Sequence, residues 1–439
     1  MPAVDPQITR FVDYLDASPT PFHAVSQAAT LLESHGFRRL DPSSEPRALN
    51  VGARCYVQEG GHLVAFQMGR EPVVEAGWRI VATHTDSPNL RLKPQPLVRN
   101  NGYVRLGVEV YGGVQIPTWV DRDLGLAGLV HIRDGHNVAS RLIDIRRPLC
   151  RIPTLAIHLN REVNTKGLVL NANKHLPAVL SLDTGDDGDD PLRELLAAEL
   201  DVAPGDVLTF DLMLYDLQPP TVAGSRNEFV HSARLDNLAS THAGLEALVA
   251  SLRDDEPPAT TNVLAMFDHE EIGSQTSRGA NSRALDNVLR ATLRDAELQG
   301  AGTYSRALAN SFLVSADMAH AVHPGWADKH DQQHMPKLNA GPVIKTNANK
   351  RYATEGETSA LWVMLCERVE VPVQWYSHRA DLRCGSTVGP MLAARLGVRT
   401  IDVGNAMLSM HSVREQCGAL DHPMMIKAMS AFYSGPDAS

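Results

Sequence analysis

No stretch of the 439-residue chain is apolar for long enough to span a bilayer as a helix. The opening Met1-Pro2-Ala3-Val4-Asp5 shows neither the basic nor the apolar segment of a secretory leader. Cysteine is scarce: Cys55, Cys150, Cys366, Cys384 and Cys417 are five, an odd number without CxxC spacing. That argues against a disulfide framework and a thiolate metal site, and reads as reduced thiols of a cytoplasmic protein. Any bound metal must then rest on nitrogen and oxygen ligands. Positive charge is also short, with 41 basic against 51 acidic side chains and a net charge of −10. This speaks against a nucleic-acid partner, and there is no basic block suited to a membrane surface. H-E-x-x-H is missing, because His269-Glu270 runs on into Glu271-Ile272-Gly273. The single-zinc chemistry of that motif is therefore not expected. Walker A, GxGxxG before a helix and GxSxG are missing too, as are internal repeats and long low-complexity tracts.

What is present is a series of apolar runs that end in acids and histidines. Val81-Ala82-Thr83 leads into His84-Thr85-Asp86, and Val263 to Phe267 into Asp268-His269-Glu270-Glu271. Phe312-Leu313-Val314 comes shortly before Asp317, and Ile401-Asp402-Val403 shortly before His411. In an open α/β sheet, ligands bind beyond the carboxyl ends of the strands. Four strands delivering such side chains to one edge would build a metal site.

The length predicts two domains. Thr20-Pro21 reads as an N-cap and first helical residue, opening a helix with Phe22, Val25, Ala29 and Leu32 on one face and a stop near Gly36. Strands are expected over His62 to Met68 and Trp78 to Thr83. From about Leu90 to Asn227 the texture becomes β-like, with runs at Tyr103 to Tyr111, Leu126 to Arg133, Thr154 to Leu159 and Val207 to Tyr215. This stretch, 91–227, is read as an inserted β-rich domain. Its Asp183 to Asp190 run reads as a solvated acidic loop, with a calcium site as the alternative. Beyond it, helices near Leu235 to Leu252, Ser282 to Glu297, Glu357 to Val369, Ser386 to Leu396 and Pro423 to Tyr433 alternate with strands Val263 to Phe267, Phe312 to Ala316, Val373 to Tyr376 and Arg399 to Val403. Residues 1–90 and 228–439 thus form one discontinuous domain. Its fold class is α/β, a mixed, mostly parallel sheet covered by helices on both faces.

Each chemical residue has a plain alternative. Glu270-Glu271 could be a surface pair; at a buried strand end, side chains point to opposite sides, so one can bind metal while the other faces a reacting water. Asp86 can orient a neighbouring metal ligand or cap a turn before Pro88. Asp236 can bridge two cations, but in Ala233-Arg234-Leu235-Asp236-Asn237 the local sequence favours a helix N-cap. Lys345 reads locally as a surface lysine on a strand edge. His320, His323, His330 and His334 are not spaced as a compact metal motif.

Several longer stretches resemble the aspartyl aminopeptidases, a family of dinuclear zinc exopeptidases. They include His84-Thr85-Asp86-Ser87-Pro88, Ile152 to Leu159, Ala233 to Asn237, Phe267 to Ser274, Ser315 to Pro324, Gly341 to Lys345, Arg351-Tyr352-Ala353, Cys384 to Pro390 and Met410 to Glu415. The resemblance implies two zinc ions per subunit, for which manganese or cobalt could substitute. One would be held by His84, Asp236 and Asp317, the other by Asp236, Glu271 and His411. It implies Glu270 as general base, Asp86 as an orienting carboxylate, and substrate contacts from Glu270, Asp317, His320, Lys345 and Tyr352. His158 would reach a neighbouring subunit's site within a tetrahedral homododecamer. The implied activity removes N-terminal Asp or Glu from peptides, with Lys345 facing the acidic side chain. An aminopeptidase of broad or neutral preference, a metal-dependent deacylase or carboxypeptidase, and an assembly protein with a vestigial site stay open beside it.

Overall fold

The computed structural model describes residues 4–41, 49–185, 190–253, 256–293 and 302–435. Its centre is a nine-stranded sheet in which Thr261–Phe267, Trp78–His84, Phe312–Ala316 and Arg399–Gly404 lie side by side and parallel. Strands covered on both faces need apolar residues throughout, not at alternate positions. Alternation then divides them between two cores. Val81, Leu264, Met266 and Val314 pack against helices Pro6–Asp16, Pro21–Ser34, Leu235–Ala250 and Asp421–Ser434 on one face. Ile80, Ala82, Val263, Ala265 and Leu313 pack against Ala284–Ala291, Thr303–Ala309 and Val388–Leu396 on the other. Among the described residues, the sheet's antiparallel pairings are made by its flanking strands: His62–Gln67 pairs with Arg54–Glu59 and Thr261–Phe267, and Val343–Thr346 with Arg399–Gly404. This is the mixed, mostly parallel α/β sandwich that the sequence predicts.

Asn89–Asn100, Tyr103–Tyr111, Leu124–Asp134, Asn137–Cys150, Ala178–Leu182 and Val207–Asp216 form a second, six-stranded antiparallel sheet. It has its own core around Leu90, Leu106, Leu126, Val130, Ile143 and Leu214. A third sheet, not anticipated, has five short strands: Thr221–Ala223, Phe229–Ser232, Glu415–Gly418, Ala406–Leu408 and Ala319–His320. It ties the approach to helix Leu235–Ala250 to the segments that follow two of the central strands.

Some local expectations fail. Thr154 to Leu159 is irregular and ends in a turn over residues 157–159 rather than forming a strand. Asp121 takes both the N–H and the hydroxyl of Thr154, the Leu159 N–H bonds back to the Ala156 carbonyl, and Leu155, Ile157 and Leu159 are exposed. Thr20 precedes Pro21–Ser34 but does not cap it; its hydroxyl is bonded instead to His23 Nδ1 at 2.8 Å. The helix itself buries Phe22, Val25, Ala29 and Leu32 as expected. Residues 186–189 of the acidic loop, and 294–297 of the helix expected from Ser282 to Glu297, lie outside the described residues. At the loop's ends, Asp183 accepts from Arg99 at 2.6 Å, and Asp190 caps Pro191–Leu200 through the Arg193 N–H at 2.9 Å.

Candidate active site

The four central strands release their chains at one edge of the sheet. His84 is paired in register with Phe267, so the His84 and Asp268 segments leave side by side. Asp317 follows directly on Phe312–Ala316, with its N–H on the Val403 carbonyl at 2.9 Å. His269, His411 and Arg234 all adopt left-handed backbone, at φ +65°, +68° and +61°. Such conformations are uncommon for residues with a Cβ, and each lies at or beside one of the site's acids or histidines.

The side chains converge. His84 Nε2 lies 3.4 Å from Asp236 Oδ1 and 3.6 Å from Asp317 Oδ1. His411 Nε2 lies 3.3 Å from both Asp236 Oδ2 and Glu271 Oε2. His84, Asp236 and Asp317 make one group, and Asp236, Glu271 and His411 another; within each, ligand-type atoms lie within 4.8 Å of one another. Asp236 belongs to both, one oxygen toward each histidine. This overturns its local reading as a helix cap: Leu235–Ala250 has no side-chain cap bond, and the carboxylate turns to the histidines instead. Glu270 stands beside the first group, with Oε2 4.0 Å from His84 Nε2.

Asp86 is not a turn cap either. It is fully buried and accepts from the Glu270 N–H at 3.0 Å, the Glu271 N–H at 3.1 Å and the Tyr111 hydroxyl at 2.7 Å. Its backbone carbonyl accepts from His84 Nδ1 at 2.9 Å. On the other side, the Gly113 carbonyl accepts from His411 Nδ1 at 3.1 Å. These bonds protonate the δ nitrogens and leave both Nε2 atoms facing the carboxylates, as metal-binding imidazoles require.

The electrostatics suit cations. Burial, helped by neighbouring acids, raises Glu270 to about 8 and holds Glu271 well above the usual carboxylate range. The carboxylates in turn lift His411 to about 9 against the effect of burial. Asp236 Oδ1 and Glu271 Oε1 are buried without a hydrogen-bond partner. Buried acceptors that lack a donor are costly, and a divalent cation would satisfy them. Two histidines with carboxylates are a donor set that zinc accepts.

Beside this cluster lies a second group. Lys345, in strand Val343–Thr346, is 1% exposed, contrary to the surface reading, because its strand lies between two others. Its ammonium donates to the carbonyls of Asp317 and Met318 at 2.8 and 3.2 Å and lies 3.7 Å from Asp317 Oδ2. It is also 5.2 Å from the centre of the Tyr352 ring. His320, lowered to about 4 by burial and by Lys345, sits edge-on to Tyr376. Tyr352 meets the same Tyr376. His158 is exposed, in the turn over residues 157–159. His323, His330 and His334 are engaged in local bonds with Gly325, with the His323 backbone and with Asp331.

Sequence reasoning missed Tyr111, Gly113, Glu415 and Tyr376. The first two belong to the antiparallel sheet and its exit, where nothing local marks a tyrosine or a glycine as part of a metal site. Glu415 closes one of the family-like stretches, but its role depends on joining the nearby His411 N–H to the distant Asp236 N–H.

The chain matches the Aminopeptidase I zinc metalloprotease (M18) family over residues 14–433. It is 48% identical to a probable M18 family aminopeptidase 2 of Ectopseudomonas mendocina (strain ymp), over 98% of each chain. Among solved structures it resembles Ape4 in its complex with Nbr1, at TM-score 0.93 and 40% identity, covering 98% of this chain and 85% of that one. It also resembles the S. cerevisiae mApe1 dodecamer, at TM-score 0.84 and 29% identity over 97% and 96% of the two chains. With a match of this extent, the chain belongs to the M18 family and is a zinc-dependent aminopeptidase.

Proposed function

We propose that the protein removes N-terminal acidic residues from peptides at a two-zinc site. The observation that carries this reading is the shared Asp236 carboxylate, with one oxygen toward His84 and the other toward His411. His84, Asp236 and Asp317 would hold one ion; Asp236, Glu271 and His411 would hold the other. When bound, zinc supplies Lewis acidity toward the scissile carbonyl and acidifies water. Glu270 takes the proton of the attacking water and returns it to the leaving amine. Asp86 keeps Glu270 and Glu271 in place through their N–H groups.

For the acidic side chain, Lys345 is a buried cation beside the site. Lysine has three N–H donors; two are engaged by the carbonyls of Asp317 and Met318, and the third, with Asp317 Oδ2 3.7 Å from the ammonium, would turn to a substrate carboxylate. Asp317, His320 and Tyr352 would line the same subsite. The loop bearing His158, with its exposed Leu155, Ile157 and Leu159, suits contact with a neighbouring subunit, and residues 91–227 would serve as the assembly domain. A homododecamer like that of mApe1 is the expected state. Five unpaired cysteines, four of them buried, suit a reducing compartment such as the cytoplasm.

Metal analysis and an anilide panel with N-terminal Asp, Glu, Leu and Ala test this reading on purified protein. Two zinc ions per chain and preference for Asp or Glu are expected; one ion, or preference for Leu, refutes it. Glu270→Gln should keep both metals and lose roughly 10²–10⁴-fold in kcat. Mixing His158→Ala with Glu270→Gln protein should restore part of the activity if the site is shared between subunits.

A further inference from the structure

Two buried carboxylates grip the backbone of the metal site, and the family likeness assigns a role to only one of them. Asp86 holds Glu270 and Glu271. Glu415 does the equivalent for the opposite half: Oε2 accepts from the Asp236 N–H at 3.1 Å, and Oε1 accepts from the His411 N–H at 2.7 Å. Those two residues lie 175 positions apart in the chain. Glu415 is 2% exposed and, among the described residues, no arginine, lysine or histidine pairs with it within ion-pair distance.

Burying an acid without a counter-cation is unfavourable, so its persistence here needs a reason. Part of it is local: two backbone N–H groups donate to its oxygens, and such donors stabilise a buried carboxylate. The rest is geometric. Glu415 begins strand Glu415–Gly418, whose register pairs Glu415 with Ser232, so its backbone is fixed to the third sheet. From that platform its two oxygens set where Asp236 and His411 stand relative to each other. The Gly113 carbonyl then fixes the imidazole's rotation.

We propose that Glu415 is a positioning residue that sets the Asp236–His411 geometry and thereby the affinity of the cation position formed by Asp236, Glu271 and His411. The inference rests on the two-zinc reading. It predicts that Glu415 acts on one of the two positions more than on the other, because His411 serves one alone.

The test is a zinc titration of the full-length, metal-stripped protein against a chromogenic competing chelator. Wild type should take up two zinc ions; if it takes one, the two-zinc reading fails. In Glu415→Gln an amide NH2 faces one of the two N–H groups, so one clamp bond is lost. The step that His411→Ala removes should weaken about 10–100-fold, with the other step changed much less. Glu415→Asp keeps the charge but is too short to reach both N–H groups at once, and should weaken the same step. A two-step wild-type titration alongside a wild-type-like Glu415→Gln titration overturns the proposal. So does equal weakening of both steps together with a fall in the unfolding temperature of the stripped protein, which is what a merely structural role predicts. Should Glu415→Gln not fold, Glu415→Asp decides by the same criterion.

Discussion

Replacing Asp86 by asparagine would change one oxygen to an amide in a carboxylate that accepts three hydrogen bonds. Oδ1 faces the Glu270 N–H at 3.0 Å, while Oδ2 faces both the Glu271 N–H at 3.1 Å and the Tyr111 hydroxyl at 2.7 Å. The amide oxygen should stay at the Oδ2 position, where it keeps two donors. The NH2 then meets the Glu270 N–H, donor against donor. A buried N–H left without an acceptor costs about 1–3 kcal/mol, equivalent to about 5–150-fold in rate if it is felt at the transition state. The side chains of Glu270 and Glu271 would remain present but displaced. Asp86→Asn should therefore lower kcat/KM on an aspartyl anilide by one to two orders of magnitude. Tyr111→Phe removes a donor to the same charged oxygen but leaves no donor facing donor; at about 1.5–3 kcal/mol for a bond to a carboxylate it should cost roughly 13–150-fold if fully felt in the reaction. The assay is kcat/KM with zinc content measured on the same sample, so that metal loss and misplacement of the base are told apart. An Asp86→Asn enzyme with full zinc and activity within threefold of wild type would falsify the claim that this carboxylate positions Glu270.

Two further perturbations probe other parts of the chain. At Gly113, a Cβ would come 2.9 Å from His411 Nδ1, closer than real side chains allow. Gly113→Ala should push the imidazole away and reduce zinc retention about 10–100-fold; unchanged zinc content after dialysis against a chelator would contradict this. His62 is buried beside Phe267, and burial lowers its pKa from 6.5 to about 4. The unfolded chain then binds a proton more readily than the folded one between those values, so stability is complete above 6.5 and is lost as pH falls toward 4. In His62→Phe this loss is removed, which by pH 4.5 should favour the variant by roughly 2–3 kcal/mol relative to its difference from wild type at pH 7. Urea midpoints of the metal-stripped proteins at pH 7, 5.5 and 4.5 measure it; parallel curves would show that His62 does not titrate as its burial requires.

The central strands were legible because strands buried on both faces must be apolar throughout, a pattern visible in Val263 to Phe267 without any tertiary information. The acids and histidines that follow those runs were legible for the same reason, since the carboxyl edge of a parallel sheet is where such residues can meet. Thr154 to Leu159 shows the limit of that reading. Its alternating apolar residues look like a strand, but Thr154 bonds to Asp121 and the chain closes into a turn through the Leu159 N–H and the Ala156 carbonyl. Lys345 shows another, because local composition carries no record of which strands flank Val343–Thr346 and bury it. What the chain determined by itself was therefore the set of chemical groups and the strand ends that carry them. Only the folded structure decided that Asp236 turns from helix capping to face two histidines, that Asp86 and Glu415 each hold two backbone N–H groups, and that Tyr111 and Gly113 close the site from the second sheet. Those contacts join segments that are far apart in sequence. Their energies depend on burial and on hydrogen-bond distances, which exist only once the three sheets have packed together.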